Sequence, residues 1–85
     1  VIAKGQGPRI ELFGRAACTL CDEARDLILG ICEETGETFT EVDVDSDPTL
    51  RNEYGELVPV VLVDGEQVGY WRIDPKRLRA ALAKS

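Results

Sequence analysis

Apolar residues recur along this chain with a period of two in some stretches and of three to four in others, and the changes between them mark seven elements. Arg9-Ile10-Glu11-Leu12-Phe13 alternates and stops at Gly14, which predicts a short strand. Leu20, Ala24, Leu27, Ile28 and Ile31 follow at spacings of four, three, one and three, so they share one face of a helix. Asp22, Glu23 and Asp26 lie on its wet side, and Glu33-Glu34-Thr35-Gly36 closes it with Gly36 placed for a left-handed cap. Thr38-Phe39-Thr40-Glu41-Val42-Asp43-Val44 is β-prone, with Val42 and Val44 on one face of a second strand. Asp47 as N-cap and Pro48 as the first helical residue then open a helix that carries Leu50, Tyr54 and Leu57 and is weakened by Gly55.

Val58-Pro59-Val60-Val61-Leu62-Val63 is an unbroken apolar run, as expected of a central strand covered on both faces. Asp64-Gly65 separates it from Glu66-Gln67-Val68-Gly69-Tyr70-Trp71, a hairpin signal because both turn residues tolerate positive φ. Asp74-Pro75 repeats the cap-and-proline start, Leu78 and Leu82 face the core, and Ile73 pairs with Leu78 as a hydrophobic staple. The order β-α-β-α-β-β-α predicts an α/β fold: a four-stranded mixed sheet with helices on both faces. Consecutive β-α-β units require a parallel pair through a right-handed crossover, and the hairpin adds antiparallel strands. Residues 9–84 are expected to form a single domain, and residues 1–8, with two glycines and a proline, a flexible tail.

Composition narrows the function. The chain has 85 residues, 10 Lys+Arg and 16 Asp+Glu, for a net charge of −6, which disfavours nucleic acid and anionic membranes as partners. No apolar run approaches the roughly 18 residues of a membrane span. There is no histidine, which excludes Ser-His and Cys-His catalysis and a mixed Cys/His zinc site within the chain. Three cysteines are too few, and odd in number, for a secreted disulfide framework. With no secretory pattern of basic start and apolar stretch, a cytoplasmic monomer is expected.

The chemistry centres on Cys18-Thr19-Leu20-Cys21, which follows the first strand and opens the first helix. Two intervening residues bent into a helical turn let the sulfurs bond. The first cysteine lies beside unpaired helix N–H groups, whose partial positive charge favours the thiolate, the nucleophilic form. Cys18 is therefore the expected attacker and Cys21 the resolver, with the oxidised protein leaving Cys32 free. Asp22 and Glu23 oppose a strongly acidic thiol, whereas Arg15 adds positive charge. Half a zinc site and a pair of incidental buried thiols compete with this reading, but zinc wants four ligands and no second pair is present. Cys32 reads as packing on the flank of the apolar face, or as a regulatory or glutathionylated thiol. Val58-Pro59 is either an ordinary strand opener or a cis bond that turns the Val58 N–H and C=O toward an extended substrate.

Taken together, Cys18-Thr19-Leu20-Cys21-Asp22-Glu23-Ala24, Val58-Pro59, the Asp64-Gly65 hairpin and the C-terminal helix resemble thioredoxin-fold oxidoreductases, specifically the glutaredoxin-like branch, over Arg9 to Ala83. The Cys-x-Leu-Cys-Asp-Glu-Ala run is similar to the uncharacterised glutaredoxin-like family once described as a domain of unknown function. The resemblance implies a thioredoxin/glutaredoxin-like fold, a cis Pro59 facing the dithiol, and an Arg15 that helps hold a glutathione carboxylate. It implies catalytic Cys18 and Cys21, with Arg15, Thr19, Leu20, Val58, Pro59, Gly69 and Tyr70 around the substrate and neither metal nor bound cofactor. Three features depart from glutaredoxins: Thr19-Leu20 stands for Pro-Tyr, Leu57-Val58-Pro59 for Thr-Val-Pro, and Gly69-Tyr70 for Gly-Gly. Tyr70 and Trp71 read otherwise as packing or solvent shielding near the sheet edge, and Asp74 as a match to the family's nearby polar position.

The leading expectation is a thiol–disulfide oxidoreductase that reduces or exchanges protein or glutathione mixed disulfides, with glutathione or a reductase as reductant. A Tyr70 side chain where the second glycine allows close backbone approach implies weaker use of glutathione. A non-catalytic interaction module and an iron–sulfur carrier are the alternatives; the carrier is disfavoured because the chain lacks the monothiol Cys-Gly-Phe-Ser motif.

Overall fold

The alternating segment Ile10–Gly14 forms strand β1 in a computed structural model that describes residues 8–84. Of the expected tail only Pro8 lies among these residues, and it is exposed. Alternation sends Ile10 and Leu12 into one apolar cluster and Phe13 into another, so β1 is covered on both faces. Helix α1, Thr19–Thr35, buries Cys21, Ala24, Ile28 and Ile31. Gly36 ends it at φ 80°, where its N–H donates to the Cys32 carbonyl at 2.8 Å. Seventeen helical residues rise about 25 Å, enough to carry the chain back along β1. Strand β2, Phe39–Asp43, accordingly runs parallel to β1, with Ile10 opposite Phe39 and Gly14 opposite Asp43.

Val44, expected in β2, instead opens a 3-10 turn over Val44–Ser46. Local polar bonds outcompete the ladder there: the Asp43 carboxylate accepts the Asp45 N–H at 2.9 Å, and the Ser46 hydroxyl donates to the Asp43 carbonyl at 2.6 Å. Val44 is nevertheless fully buried, in the same cluster as Phe13 and Val60. Asp47 caps helix α2, Pro48–Tyr54, by accepting the Thr49 N–H at 2.8 Å. Leu57, expected on this helix, lies beyond its end, where its N–H donates to the Tyr54 carbonyl at 2.8 Å and its side chain still packs on the second cluster. Phe13 and Tyr54, their ring centroids 4.8 Å apart, seat α2 on the sheet.

Strands β3, Val60–Val63, and β4, Glu66–Tyr70, complete the sheet in the order β2-β1-β3-β4. The first β-α-β unit gives the parallel pair, but the second gives none. Val60 and Val42 both pair with Phe13, so β3 starts at the end of the sheet where β2 finishes. Seven helical residues rise only about 10 Å and cross that end without travelling back along the strands. β3 therefore runs antiparallel to β1, and β4 antiparallel to β3. The hairpin turns through Asp64 at φ 53° and Gly65 at φ 86°, the paired left-handed residues that Asp-Gly supplies. The register shifts between Val61 and Leu62 where β3 meets β4.

Helix α3, Pro75–Ala83, is capped by Asp74, whose carboxylate accepts the Lys76 N–H at 2.9 Å. Its Leu78 and Leu82 join α1 and the β1 and β3 side chains in the larger cluster, against which Ile73 packs, while α2 covers the other face. The result is a four-stranded mixed sheet with helices on both faces.

Leu12 is fully buried between helices and sheet, whereas Leu29 on α1 is 47% exposed. Leu12→Ala is expected to lower unfolding stability by about 2–5 kcal/mol. Leu29→Ala should change it by less than about 0.5 kcal/mol. Urea titration of both variants checks the contrast.

Candidate functional site

β1 ends at Gly14, and the connection to α1 turns through Ala17, whose φ is 56°. Cys18 is the helix N-cap, with extended backbone and a sulfur that accepts the Cys21 N–H at 3.1 Å. The thiol thus takes the place that Ser or Asp usually fills. Cys18 and Cys21 are joined as a disulfide with their Cα atoms 5.2 Å apart. Cys18 is half-buried and Cys21 fully buried, so one sulfur of the pair is the more accessible. Cys32 is free on α1, packed against the larger cluster, and burial followed by the Glu37 charge pushes its pKa upward.

The acidic residues beside the dithiol are partly neutralised. Asp22 accepts from Arg25 at 2.9 Å, and the same guanidinium reaches across to Glu41 on β2. Gly14 was expected only to end a strand, but it has a second role. A Cβ there would stand 3.2 Å from the Cys21 sulfur and 3.4 Å from its Cβ, so the absent side chain makes room for the buried thiol. Its signal in the sequence is a glycine between a strand and a Cys-x-x-Cys helix start.

The Val58–Pro59 peptide bond is cis, and Pro59 is fully buried. The Val58 N–H and C=O form no hydrogen bond with any described residue. Leu20, Val58, Tyr70, Trp71 and Arg72 line one surface groove, which brings the residue between the cysteines to the proline loop. Trp71, for which packing or solvent shielding near the sheet edge is one reading, is 52% exposed, and its ring meets Tyr70 edge-on at 5.1 Å. Its backbone is left-handed, φ 62°, a conformation that costs a non-glycine residue about 1–3 kcal/mol. Bonds around it hold that conformation: the Trp71 N–H donates to the Pro59 carbonyl at 2.9 Å and the Leu57 carbonyl at 3.3 Å, and the indole N–H donates to the Glu56 carbonyl at 3.0 Å.

The remaining expected residues are placed differently. Thr19 is exposed at the first position of α1. Gly69 pairs with Val61 inside β4, and a Cβ there would make ordinary contact with Ile73 at 3.5 Å. Neither Gly69 nor Tyr70 has a left-handed backbone; Trp71 does. Arg15 lies away from the groove. Its Nε and Nη2 donate to the two Asp45 oxygens at 3.2 and 2.7 Å, and its Nη1 donates to the Gly55 carbonyl at 3.0 Å. It therefore ties the dithiol loop to the end of α2. The hydrogen bond from Arg15, reinforced by the charges of Arg15 and Arg51, holds the Asp45 carboxyl below its ordinary range. Among the described residues no three or more His, Cys, Asp or Glu side chains gather to hold a metal ion, and no helix is long and apolar enough to cross a membrane.

Residues 9–83 match the Glutaredoxin-like domain (DUF836). An uncharacterized protein of Mycobacterium tuberculosis is 39% identical over 83 residues, spanning 92% of this chain and 86% of its relative. Protein XcR50 of X. campestris is a similar solved structure, with a TM-score of 0.73 and 32% identity over 89% of this chain and 97% of its own. Reduced Escherichia coli glutaredoxin shares the fold at a TM-score of 0.60 and 24% identity, over 89% and 94% of the two chains.

Adding a methyl group at Gly14 crowds the fully buried Cys21 and requires it to shift. Gly14→Ala is expected to lower the stability of the disulfide form by about 1–3 kcal/mol, read by thermal or urea melting under non-reducing conditions. The Arg15–Asp45 pair has a defined pH signature, because a depressed carboxyl pKa stabilises the fold above the unfolded value of about 3.9 and loses that contribution as pH falls through the folded pKa. The stability difference between the unmodified protein and Asp45→Asn should stay constant from about pH 7 to 5 and shrink only in acid below the unfolded value. Urea titrations across that range check this.

Proposed function

The chain belongs to the glutaredoxin-like family of thioredoxin-fold proteins, and from that membership we propose that it is a thiol–disulfide oxidoreductase cycling Cys18 and Cys21 between dithiol and disulfide. The observation that carries the reading is a Cys pair within bonding distance whose half-buried member caps a helix of 17 residues while its partner is fully buried. A thiolate on Cys18 gains the Cys21 N–H and the positive end of the helix, so the accessible sulfur is also the one favoured as nucleophile.

The reaction balances in two exchanges. The Cys18 thiolate attacks one sulfur of a substrate disulfide, forms a mixed disulfide and releases the other substrate sulfur as a thiolate, which takes up a proton. Cys21, deprotonated, then attacks the Cys18 sulfur, releases the second substrate thiol and closes the Cys18–Cys21 bond. Two electrons pass from the protein to the substrate, and an external thiol or dithiol reductant restores the starting state. Arg15 bears on the choice of reductant, since its guanidinium already holds Asp45 and the Gly55 carbonyl. Three of its five N–H donors are engaged in this way, and one on each terminal nitrogen remains for a carboxylate. Tyr70, which stands where glutaredoxins have their second glycine, favours disulfides in proteins over glutathione mixed disulfides as substrates.

Cys21→Ser should accumulate a mixed disulfide with substrate, visible by intact-mass measurement under non-reducing conditions. Cys18→Ser should reduce disulfide turnover to the uncatalysed background, and Cys32→Ser should leave it unchanged. Normal turnover by Cys18→Ser would overturn the assignment.

A further inference from the structure

The groove beside the cis proline combines three features that the exchange chemistry alone does not require. Tyr70 and Trp71 leave large aromatic areas exposed, 43% and 52%, against the same groove as Leu20 and Val58. The tryptophan's backbone N–H is held by the Leu57 and Pro59 carbonyls and its ring by the indole bond to the Glu56 carbonyl, which lowers the cost of ordering the ring on binding. An isolated exposed aromatic residue is ordinary, but two rings in edge-to-face contact at a groove wall, one of them held by its indole N–H, form an apolar surface suited to another aromatic side chain.

The second feature is polar. The Val58 N–H and C=O stand open among the described residues, a donor–acceptor pair suited to the backbone of an extended peptide. The third is charge. Arg9, Arg15, Arg25, Arg51 and Arg79 each hold a carboxylate, whereas Arg72, Lys76, Arg77 and Lys84 form no ion pair among the described residues, and of these four Arg72 lies on the groove wall. A net charge of −6 repels anions at long range, but that repulsion is screened beyond about 8 Å at physiological salt, and a direct contact with Arg72 is not.

We propose that this groove selects extended protein segments in which the disulfide cysteine is flanked by an aromatic residue, stacked on Trp71 and Tyr70, and by an acidic residue facing Arg72. Val58 would pair with the segment's backbone, and Leu20 would close the groove toward the dithiol. The inference builds on the oxidoreductase reading by naming the substrate class, and its test is independent of turnover.

Trp71 is the sole tryptophan of the chain, so intrinsic fluorescence reports on the groove directly. The probe is a short linear peptide carrying Phe and Glu on either side of a serine in place of cysteine, titrated into the full chain at physiological salt. The expected result is a saturable change in Trp71 emission, with affinity falling about tenfold when Phe is replaced by Ala in the peptide. Calorimetry on Trp71→Ala should show a comparable loss, and Arg72→Glu should invert the preference between peptides carrying Glu and Lys. No saturable response at millimolar peptide, equal affinity for the Phe and Ala peptides, or an unchanged charge preference in Arg72→Glu overturns the proposal. Because the probe has no thiol, its binding outcome stands apart from the Cys18 and Cys21 turnover assays, and either reading can fail alone.

Discussion

The Cys21 sulfur packs against the bare backbone of Gly14, and this contact joins the end of β1 to the first turn of α1. β1 is held by β2 on one side and β3 on the other, with apolar cover on both faces, so its end is among the best-fixed points in the molecule. Anchoring the helix there leaves Cys18, one residue before the helix, at the border of interior and solvent. A nucleophilic sulfur needs both conditions: access to a substrate and a rigid dipole behind it. The asymmetry of the pair thus follows from where a strand stops and a helix begins, not from different chemistry in the two thiols.

Features set by neighbouring residues were legible in the sequence. Asp47-Pro48 and Asp74-Pro75 marked helix starts, Gly36 a helix end and Asp64-Gly65 a hairpin, because each signal acts within a few residues. The helix start at Cys18 and the pairing of Cys18 with Cys21 were legible on the same ground. Features decided at a distance were not legible. The partner of Arg15 is Asp45, 30 residues away, a tie between loops that no local signal announces. The direction of β3 depended on how far α2 could carry the chain, a length question that hydrophobic periodicity does not express. Val44 left its strand because Asp43 and Ser46 offered the backbone other bonds. The left-handed backbone of Trp71 is sustained by carbonyls of the Glu56–Pro59 loop, contacts that no local propensity anticipates.

Electrostatics arranges this small chain more than it stabilises it. Arg25 joins α1 to β2 beside the dithiol, while Arg9 gathers Asp64, Glu37 and the Leu82 and Lys84 carbonyls at the opposite end of the sheet. Ion pairs at this level of exposure contribute little stability individually. Their effect is positional: they fix loops to elements and engage five of the seven arginines, with Arg72 at the groove outside any ion pair among the described residues.

The register shift and the charges on the outer strands carry a consequence for unwanted company. β2 and β4 form the rims of the sheet, and such rims invite other chains to add strands. β2 places exposed Glu41 and Asp43 along its rim, and β4 meets its neighbour through an irregular register with Glu66 and Gln67 exposed. Acid and irregularity make both rims poor templates for stray pairing. An extended segment that meets these flanks finds charge and uneven spacing, whereas the Val58 N–H and C=O have no hydrogen-bond partner among the described residues.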